Sequence, residues 1–424
     1  MKHISWNSLT AGGIYAFAAV APFSNAGMEL VIGYLAIVWI AYFIFGGGKG
    51  AKQSHKLFQW DFVTGSIIMY LIVMVIAGAV SARPIQSILA VKEEWIILLY
   101  FSLVTLLPSR QVFLRALYIL AISCTIVGIY AVVQHFTGIN FPHDEPLLRY
   151  GNFFRSGGFF GFCLTFGGFI LMVFSVLLGS FYGAEKLRSK VLFGISSAVT
   201  FLAAVASYAR SVWLGAIIGS LVVSIVIHWK TGIKYIAVIG LFCAGIYFFH
   251  PELIREHGVT SMIDPNYSKG SRIRVELWQK TLEMWKDHPA LGIGPGNFPY
   301  YQNNYAFSES ARGLTHPHND LLNVAVQTGI IGLTAFIGIW AAFIWSCYRF
   351  WRRERKHPEY SGLTAGAVLG CGGAIIGILS AGMFQCYYTD IEVGMIWWYI
   401  AGLASAVISL PQEVSIVKGM EIDY

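Results

Sequence analysis

Apolar runs long enough to cross a bilayer recur along this chain from one end to the other, and no other feature restricts its fold as strongly. Composition agrees. Hydrophobic residues make up 56% of the sequence, charged residues only 12%, and mean hydropathy is +0.62. A soluble chain of this length does not have that balance. Hydrophobic windows place twelve candidate spans at 8–24, 27–45, 62–80, 95–108, 113–134, 157–181, 191–207, 212–228, 235–249, 320–346, 362–384 and 392–410. The fourth has a short apolar core, and only Tyr208-Ala-Arg-Ser211 separates the seventh from the eighth. The expected fold is an all-α polytopic membrane protein of about 12 transmembrane helices. It forms a single membrane domain over 1–424, with one large loop, 250–319, inside it. Lys2 and the apolar stretch after it imitate a signal peptide, but Pro22 follows Ala21 where cleavage would be read, so the segment is taken as an uncleaved first helix.

Charge orients the spans. One set of loops carries Lys49, Lys52 and Lys56; Arg110 and Arg115; Lys186, Arg188 and Lys190; Lys230 and Lys234; and Arg349, Arg352, Arg353, Arg355 and Lys356. The short loops opposite hold little more than Arg83, Lys92, Arg149, Arg155 and Arg210. The positive-inside rule makes the first set cytoplasmic, with both termini on that side and 250–319 outside. The net charge of +7 is spread over these short loops and does not indicate a nucleic-acid partner. Most of the six cysteines, Cys124, Cys163, Cys243, Cys347, Cys371 and Cys386, fall in apolar runs, so no disulfide framework and no CxxC metal pair is expected.

The outer segment has structure of its own. From Ser271 to Lys286, apolar residues fall at Val275, Trp278, Leu282 and Trp285, a helical spacing that predicts one apolar face lying at the membrane interface. The helix ends before Pro289, and Gly292-Ile-Gly-Pro-Gly-Asn297 reads as a structural turn. It lacks the Gly-Lys-Ser/Thr of a nucleotide loop. Phe298, Tyr300, Tyr301, Tyr305 and Phe307 then supply aromatic surface.

The candidate chemistry gathers on this outer side. Gly313-Leu-Thr-His-Pro-His-Asn-Asp320 ends the polar segment where the chain re-enters the membrane, and Asn319 or Asp320 is expected to cap the next helix. That N-terminus favours an anion near His318. Arg210 lies between two apolar runs, where it either snorkels to headgroups or binds an anion such as a diphosphate through its planar fork. Arg272 and Arg274 open the interfacial helix, where cations oppose the dipole unless an anion is close; lipid headgroups are the alternative ligand. His316 and His318 invite a metal, but no third ligand is evident. As a general base His318 has a suitable ordinary pKa; the plainer role is a helix cap or a carbonyl partner. Phe384-Gln-Cys-Tyr-Tyr-Thr-Asp390 is an outer loop whose Asp390 either pairs with an arginine or solvates the loop.

Three motifs in order resemble the bacterial O-antigen ligase and polymerase superfamily. They are Ser207-Tyr-Ala-Arg-Ser-Val-Trp-Leu-Gly215; Arg274-x-x-x-Trp278 with His288-Pro-Ala-Leu-Gly-Ile-Gly-Pro-Gly-Asn-Phe298; and His318-Asn319 followed by Gly329 and Gly332. Together they cover about 205–335. The resemblance implies a fold like the class C membrane glycosyltransferases, with no cofactor and no metal. It implies transfer of a glycan from undecaprenyl diphosphate at the outer face of the inner membrane. Carried over by residue, Arg210 and Arg274 bind the diphosphate and His318 is catalytic. Arg272 and Arg155 are further diphosphate contacts, with His316, Asn319 and Asp390 in support. The ligase branch, with the lipid A core as acceptor, is the first reading. A polymerase or another acceptor branch, such as protein O-oligosaccharyl transfer, is the second. A transporter is the third, against which stands the gathering of charge at the outer edge instead of mid-membrane. Membrane lipids are the only further partners expected.

Overall fold

The computed structural model describes residues 5–45, 61–234, 236–237, 241, 269–357 and 361–411. The chain builds α1 (Trp6–Val20), α2 (Asn25–Phe45), α3 (Phe62–Ala79), α4 (Pro84–Val91), α5 (Leu98–Leu106), α6 (Arg110–Thr137), α7 (Cys163–Gly183), α8 (Leu187–Ala206) and α9 (Arg210–Ile227). After these come α10 (Lys269–Asp287), the single turn α11 (Phe298–Tyr301), α12 (Asp320–Glu354), α13 (Gly362–Ala381) and α14 (Ile391–Ser409). Among the described residues the only strands are β1 (Arg149–Tyr150) and β2 (Phe153–Phe154), paired antiparallel. Nine of the described helices, α2, α3, α6, α7, α8, α9, α12, α13 and α14, are long and apolar enough to cross a membrane. The chain is an all-α multi-pass membrane protein.

Two of the expected spans differ. The first is only 15 residues long. The fourth is part of a broken run in which α4, a 3₁₀ turn (Lys92–Ile97) and α5 follow one another. Pro84 starts that run, and the turn carries Glu93 and Glu94, with Glu94 accepting a hydrogen bond from the buried Tyr388 hydroxyl at 2.9 Å. The span at 235–249 lies almost wholly outside the described residues.

Packing follows the small residues. With lipid on the outside, helices gain little from hydrophobic burial and associate where their backbones approach closely. On the α7–α13 seam a Cβ on Gly183 would sit 2.1 Å from the Gly362 carbonyl, and on the α9–α13 seam one on Gly215 would sit 2.4 Å from the Gly377 carbonyl. Most of α7, α13 and α14 is accordingly buried, while α2 and α8 bury a narrower stripe. At one end of the bundle Arg110 pairs with the buried Glu354 at 2.9 Å, beside Arg352, Arg353 and Arg355 at the C-terminus of α12. Cations in that last turn complement the helix dipole. The C-termini of α6 and α8 and the N-termini of α7, α9, α12 and α14 meet at the opposite end.

The segment between α9 and α12 has its own small core: Leu277, Met284, Ile293, Phe298, Phe307 and Ala311 close on Val326 of α12. Glu276 of α10 accepts from both the backbone N–H and the hydroxyl of Ser308, tying the loop to the helix. The aromatic stretch divides, with Phe298 and Phe307 in this core and Tyr300 exposed under the Arg83 guanidinium. The α10 face expected at the membrane interface is not the one packed inside the protein. Ser271, Leu277, Thr281 and Met284 are buried, while Leu282 is exposed and Val275, Trp278 and Trp285 are half-buried.

Candidate active site

Helix α12 is broken where it leaves the site. At Gly329 the backbone has φ 65° and ψ −167°, a combination that is essentially restricted to glycine. The break frees backbone groups on both sides, and the turn after α10 takes them up. Ile293 N–H donates to the Val326 carbonyl at 2.8 Å, Gly294 N–H to Gln327 at 3.0 Å, and Ile330 N–H to the Pro289 carbonyl at 2.8 Å. The glycine-rich turn is therefore structural, as its sequence indicated. It holds α10 against α12 through backbone bonds that a buried segment requires. Gly292 and Gly332 follow from the same geometry. A Cβ on Gly292 would stand 2.4 Å from the Val326 carbonyl, and one on Gly332 would stand 2.0 Å from Thr328 Oγ1.

Ahead of the break, the start of α12 is fixed against the loop joining α13 and α14. Asn319 is the N-cap, its Oδ1 accepting from Leu322 N–H at 3.0 Å. Its amide donates to the Met383 carbonyl at 3.0 Å. Asp320 is fully buried; its N–H donates to the Gly382 carbonyl at 2.7 Å, and its carboxylate accepts from Tyr388 N–H at 3.0 Å and Tyr387 N–H at 3.3 Å. Of the two candidate caps, Asn319 holds its own helix and Asp320 holds the neighbouring loop.

That loop brings the sequence-predicted residues together. Phe384 packs on Trp278, which lies one helical turn beyond Arg274 on the same face of α10. Gln385 hydrogen-bonds the Nδ1 of His318. The Tyr387 hydroxyl meets the Ser211 hydroxyl at 2.9 Å, one residue from Arg210 at the start of α9. Arg210, Arg274 and His318 thus surround loop residues 384–387, each arriving on a different helix or helix end. Their charges are felt across the site. Burial and then the Arg210 guanidinium lower the affinity of Arg274 for its proton. Burial lowers the pKa of His318, and the nearby Arg274 lowers it further, against the Gln385 bond. His316, half-buried with its ring edge-on to His318 at 4.5 Å, is pushed down to about 4 by burial and by His318.

The other predicted residues have distinct places. Arg155 spends its Nε on the Ser207 carbonyl and its Nη2 on the Tyr208 carbonyl, both at 3.3 Å, so it braces the turn that leads into Arg210. Arg272 is exposed at the start of α10. Asp390 caps α14 and accepts from the Thr165 hydroxyl of α7. Burial, and then a hydrogen bond with Glu392, raises its pKa to about 7. Two non-glycine residues here have positive φ, Tyr208 at 52° and His318 at 53°. Such conformations cost on the order of 1–3 kcal/mol and cluster at functional sites. Gln385 is the residue that sequence reading missed, since its partner lies 67 positions away in the chain and only Asp390 at the loop's end had drawn notice.

Chemically, two mutually repelling guanidinium groups beside the positive ends of α9 and α12 favour a multiply charged anion. A neutral imidazole at their edge can accept a proton.

Residues 195–337 match the family described as O-Antigen ligase. Over 86 residues the chain is 24% identical to the teichuronic acid biosynthesis protein TuaE of Bacillus subtilis (strain 168), a stretch covering 20% of this chain and 17% of that protein. The matched segment holds Arg210, Arg274 and His318 together with the Gly329 break. Motifs, helical architecture and family match together support a place for this chain in the O-antigen ligase/polymerase superfamily.

Proposed function

We propose that this protein is an O-antigen ligase, an inverting glycosyltransferase that moves a glycan from undecaprenyl diphosphate to a sugar hydroxyl of the lipid A core. The observation that carries the reading is the meeting of Arg210, Arg274 and His318 around residues 384–387. The end of the bundle opposite the site carries the basic loops, including Lys186, Arg188, Lys190 and Arg349–Arg355. The positive-inside rule then puts that end in the cytoplasm and the site at the periplasmic face of the inner membrane. The 250–319 loop contributes Arg274 and His318 to a single membrane domain.

Each residue has a task in the reaction. Arg210 and Arg274 hold the donor diphosphate, with Arg272 at the rim and Arg155 stiffening the turn before Arg210. The acceptor oxygen attacks C1 of the donor sugar. As that bond forms, the C1–oxygen bond to the diphosphate breaks and its electron pair leaves with the phosphate. His318 takes the hydroxyl proton. Guanidinium groups and helix N-termini already in place stabilise the charge that grows on the leaving group. No enzyme nucleophile takes part, and no metal is needed.

The test is the lipopolysaccharide profile of a deletion strain complemented with wild type or His318→Ala. Core without O-antigen in the deletion and in His318→Ala, restored by wild type, supports the ligase. The relative in teichuronic acid biosynthesis favours a second reading, in which the same site serves another acceptor, a second lipid-linked glycan. Normal ligation with shortened glycan chains in the deletion would establish that reading instead.

A further inference from the structure

We propose that Gln385 is the positioning residue for His318, fixing which imidazole nitrogen receives the acceptor proton; this rests on the reading of His318 as the base. The Gln385 amide oxygen is at hydrogen-bond distance from His318 Nδ1. An amide oxygen only accepts, so Nδ1 carries the hydrogen and Nε2 presents its lone pair to the substrate. The alternative tautomer would turn an N–H toward the acceptor hydroxyl, and no proton transfer to the ring would follow.

The surrounding structure fits this role. His318 sits at φ 53°, outside any regular element, and needs an external support to keep its ring in one orientation. Gln385 can give that support because its loop is clamped on both sides. On one side the Asn319 amide holds the Met383 carbonyl and Asp320 N–H holds the Gly382 carbonyl. On the other the Asp320 carboxylate holds the backbone of Tyr387 and Tyr388. Gly382 permits this close approach, since a Cβ there would lie 2.3 Å from Asp320 Oδ2. These bonds tie the start of α12 to the 382–388 loop, and the Gln385–His318 bond is a further tie between them. The charged and titratable groups around the ring are Arg274 from α10, with Arg210 behind it, His316 on the same loop, and the Cys386 thiol beside Gln385. Of these, Arg274 opposes protonation of the His318 ring. The neutral amide offsets that opposition only through its hydrogen bond, whereas a carboxylate at the same place would add a negative charge and favour protonation further.

The experiment compares Gln385→Ala and Gln385→Glu with wild type and His318→Ala in the purified protein. It measures single-turnover transfer as a function of pH and, separately, binding of undecaprenyl diphosphate. Removing the partner that orients a functional histidine commonly costs about 10- to 100-fold. Gln385→Ala is expected to lose that much in rate while binding the diphosphate lipid as wild type does. Gln385→Glu can only accept, so it is expected to keep transfer near pH 8 while the acidic limb of its profile moves up by about 1 pH unit or more. An unmoved acidic limb in Gln385→Glu overturns the proposal, as does an unchanged rate in Gln385→Ala. Loss of lipid binding in both variants also overturns it and makes Gln385 a structural support of the pocket. These results leave the ligase reading intact provided His318→Ala is inactive. Active His318→Ala overturns the base reading and this inference with it.

Discussion

The Ala290 carbonyl oxygen lies 2.1 Å from where a Cβ on Gly329 would stand, so the turn after α10 occupies the space that a side chain at the α12 break would need. The contact couples the helix that carries Arg274 to the helix that follows His318. Gly329→Ala meets both this clash and a backbone conformation costing on the order of 1–3 kcal/mol for a non-glycine residue. The variant should melt at clearly lower temperature in detergent and lose transfer. Gly65→Ala is the control. It lies within α3 with open space around its Cβ position, and there alanine is worth roughly 0.5–1 kcal/mol over glycine. A Gly329→Ala protein as stable as Gly65→Ala would refute the coupling.

Asp320 holds two backbone N–H groups of the neighbouring loop from a fully buried position. Leaving a buried donor unsatisfied costs about 1–3 kcal/mol. Asp320→Ala should therefore destabilise the protein and disorder the loop carrying Gln385. Asp320→Asn keeps one acceptor oxygen and should fall between alanine and wild type. Thermal melting and amide-hydrogen exchange at Tyr387 and Tyr388 measure both effects.

The pH dependence of transfer follows from the depressed pKa of His318. The neutral imidazole is the active form, and burial with Arg274 keeps it neutral below its ordinary value of 6.5. Transfer should therefore be more than half-maximal at pH 6.5, with its half-maximal point below that value. A half-maximal point at or above 6.5 in single-turnover measurements would contradict this assignment.

Asp390 gives an opposite signature, in stability. Its folded pKa is raised to about 7 from 3.8, so the folded state binds more protons than the unfolded state between those values. Its stabilising contribution is complete below about 3.8, declines as pH rises, and is lost through about 7. Asparagine mimics the neutral carboxyl and is also a good N-cap. Asp390→Asn should be at least as stable as wild type at pH 8, with a flatter dependence of melting temperature on pH from 4 to 8. A large loss of stability at pH 8 would show that the carboxylate itself is required.

Much of this was legible in the sequence because it depends on side-chain chemistry with a local pattern. The length of the apolar runs dictates membrane helices, Arg210 and His318 stand out as polar residues beside such runs, and Arg274 opens the amphipathic helix between them. The parts that escaped depend on backbone bonds between distant segments. Nothing local in Pro289–Gly294 reveals that its N–H and C=O groups complete a broken helix, though the glycines mark where the backbones must come close. Asp320 looked like a helix cap because Asn319 and Asp320 are equivalent in propensity; only the Gly382–Tyr388 loop decides between them. The protein-facing side of α10 is not legible in the sequence, because periodicity counts apolar residues, whereas this helix buries Ser271, Thr281 and part of Arg274 against the protein and leaves Leu282 outside.

The most direct test of the account separates donor binding from transfer in Arg210→Ala, Arg274→Ala and His318→Ala. A charge-assisted hydrogen bond to phosphate contributes roughly 1.5–3 kcal/mol, so each arginine variant should bind undecaprenyl diphosphate about 10- to 100-fold more weakly. Lysine in place of either arginine should restore part of this, because it keeps the charge and loses the planar fork. Loss of a general base costs about 100- to 10,000-fold in rate, so His318→Ala should bind the lipid as wild type does and almost cease to transfer in a single turnover. If His318→Ala loses lipid binding as severely as Arg210→Ala while Arg210→Ala still turns over, the assigned division of roles is wrong and His318 is a diphosphate ligand.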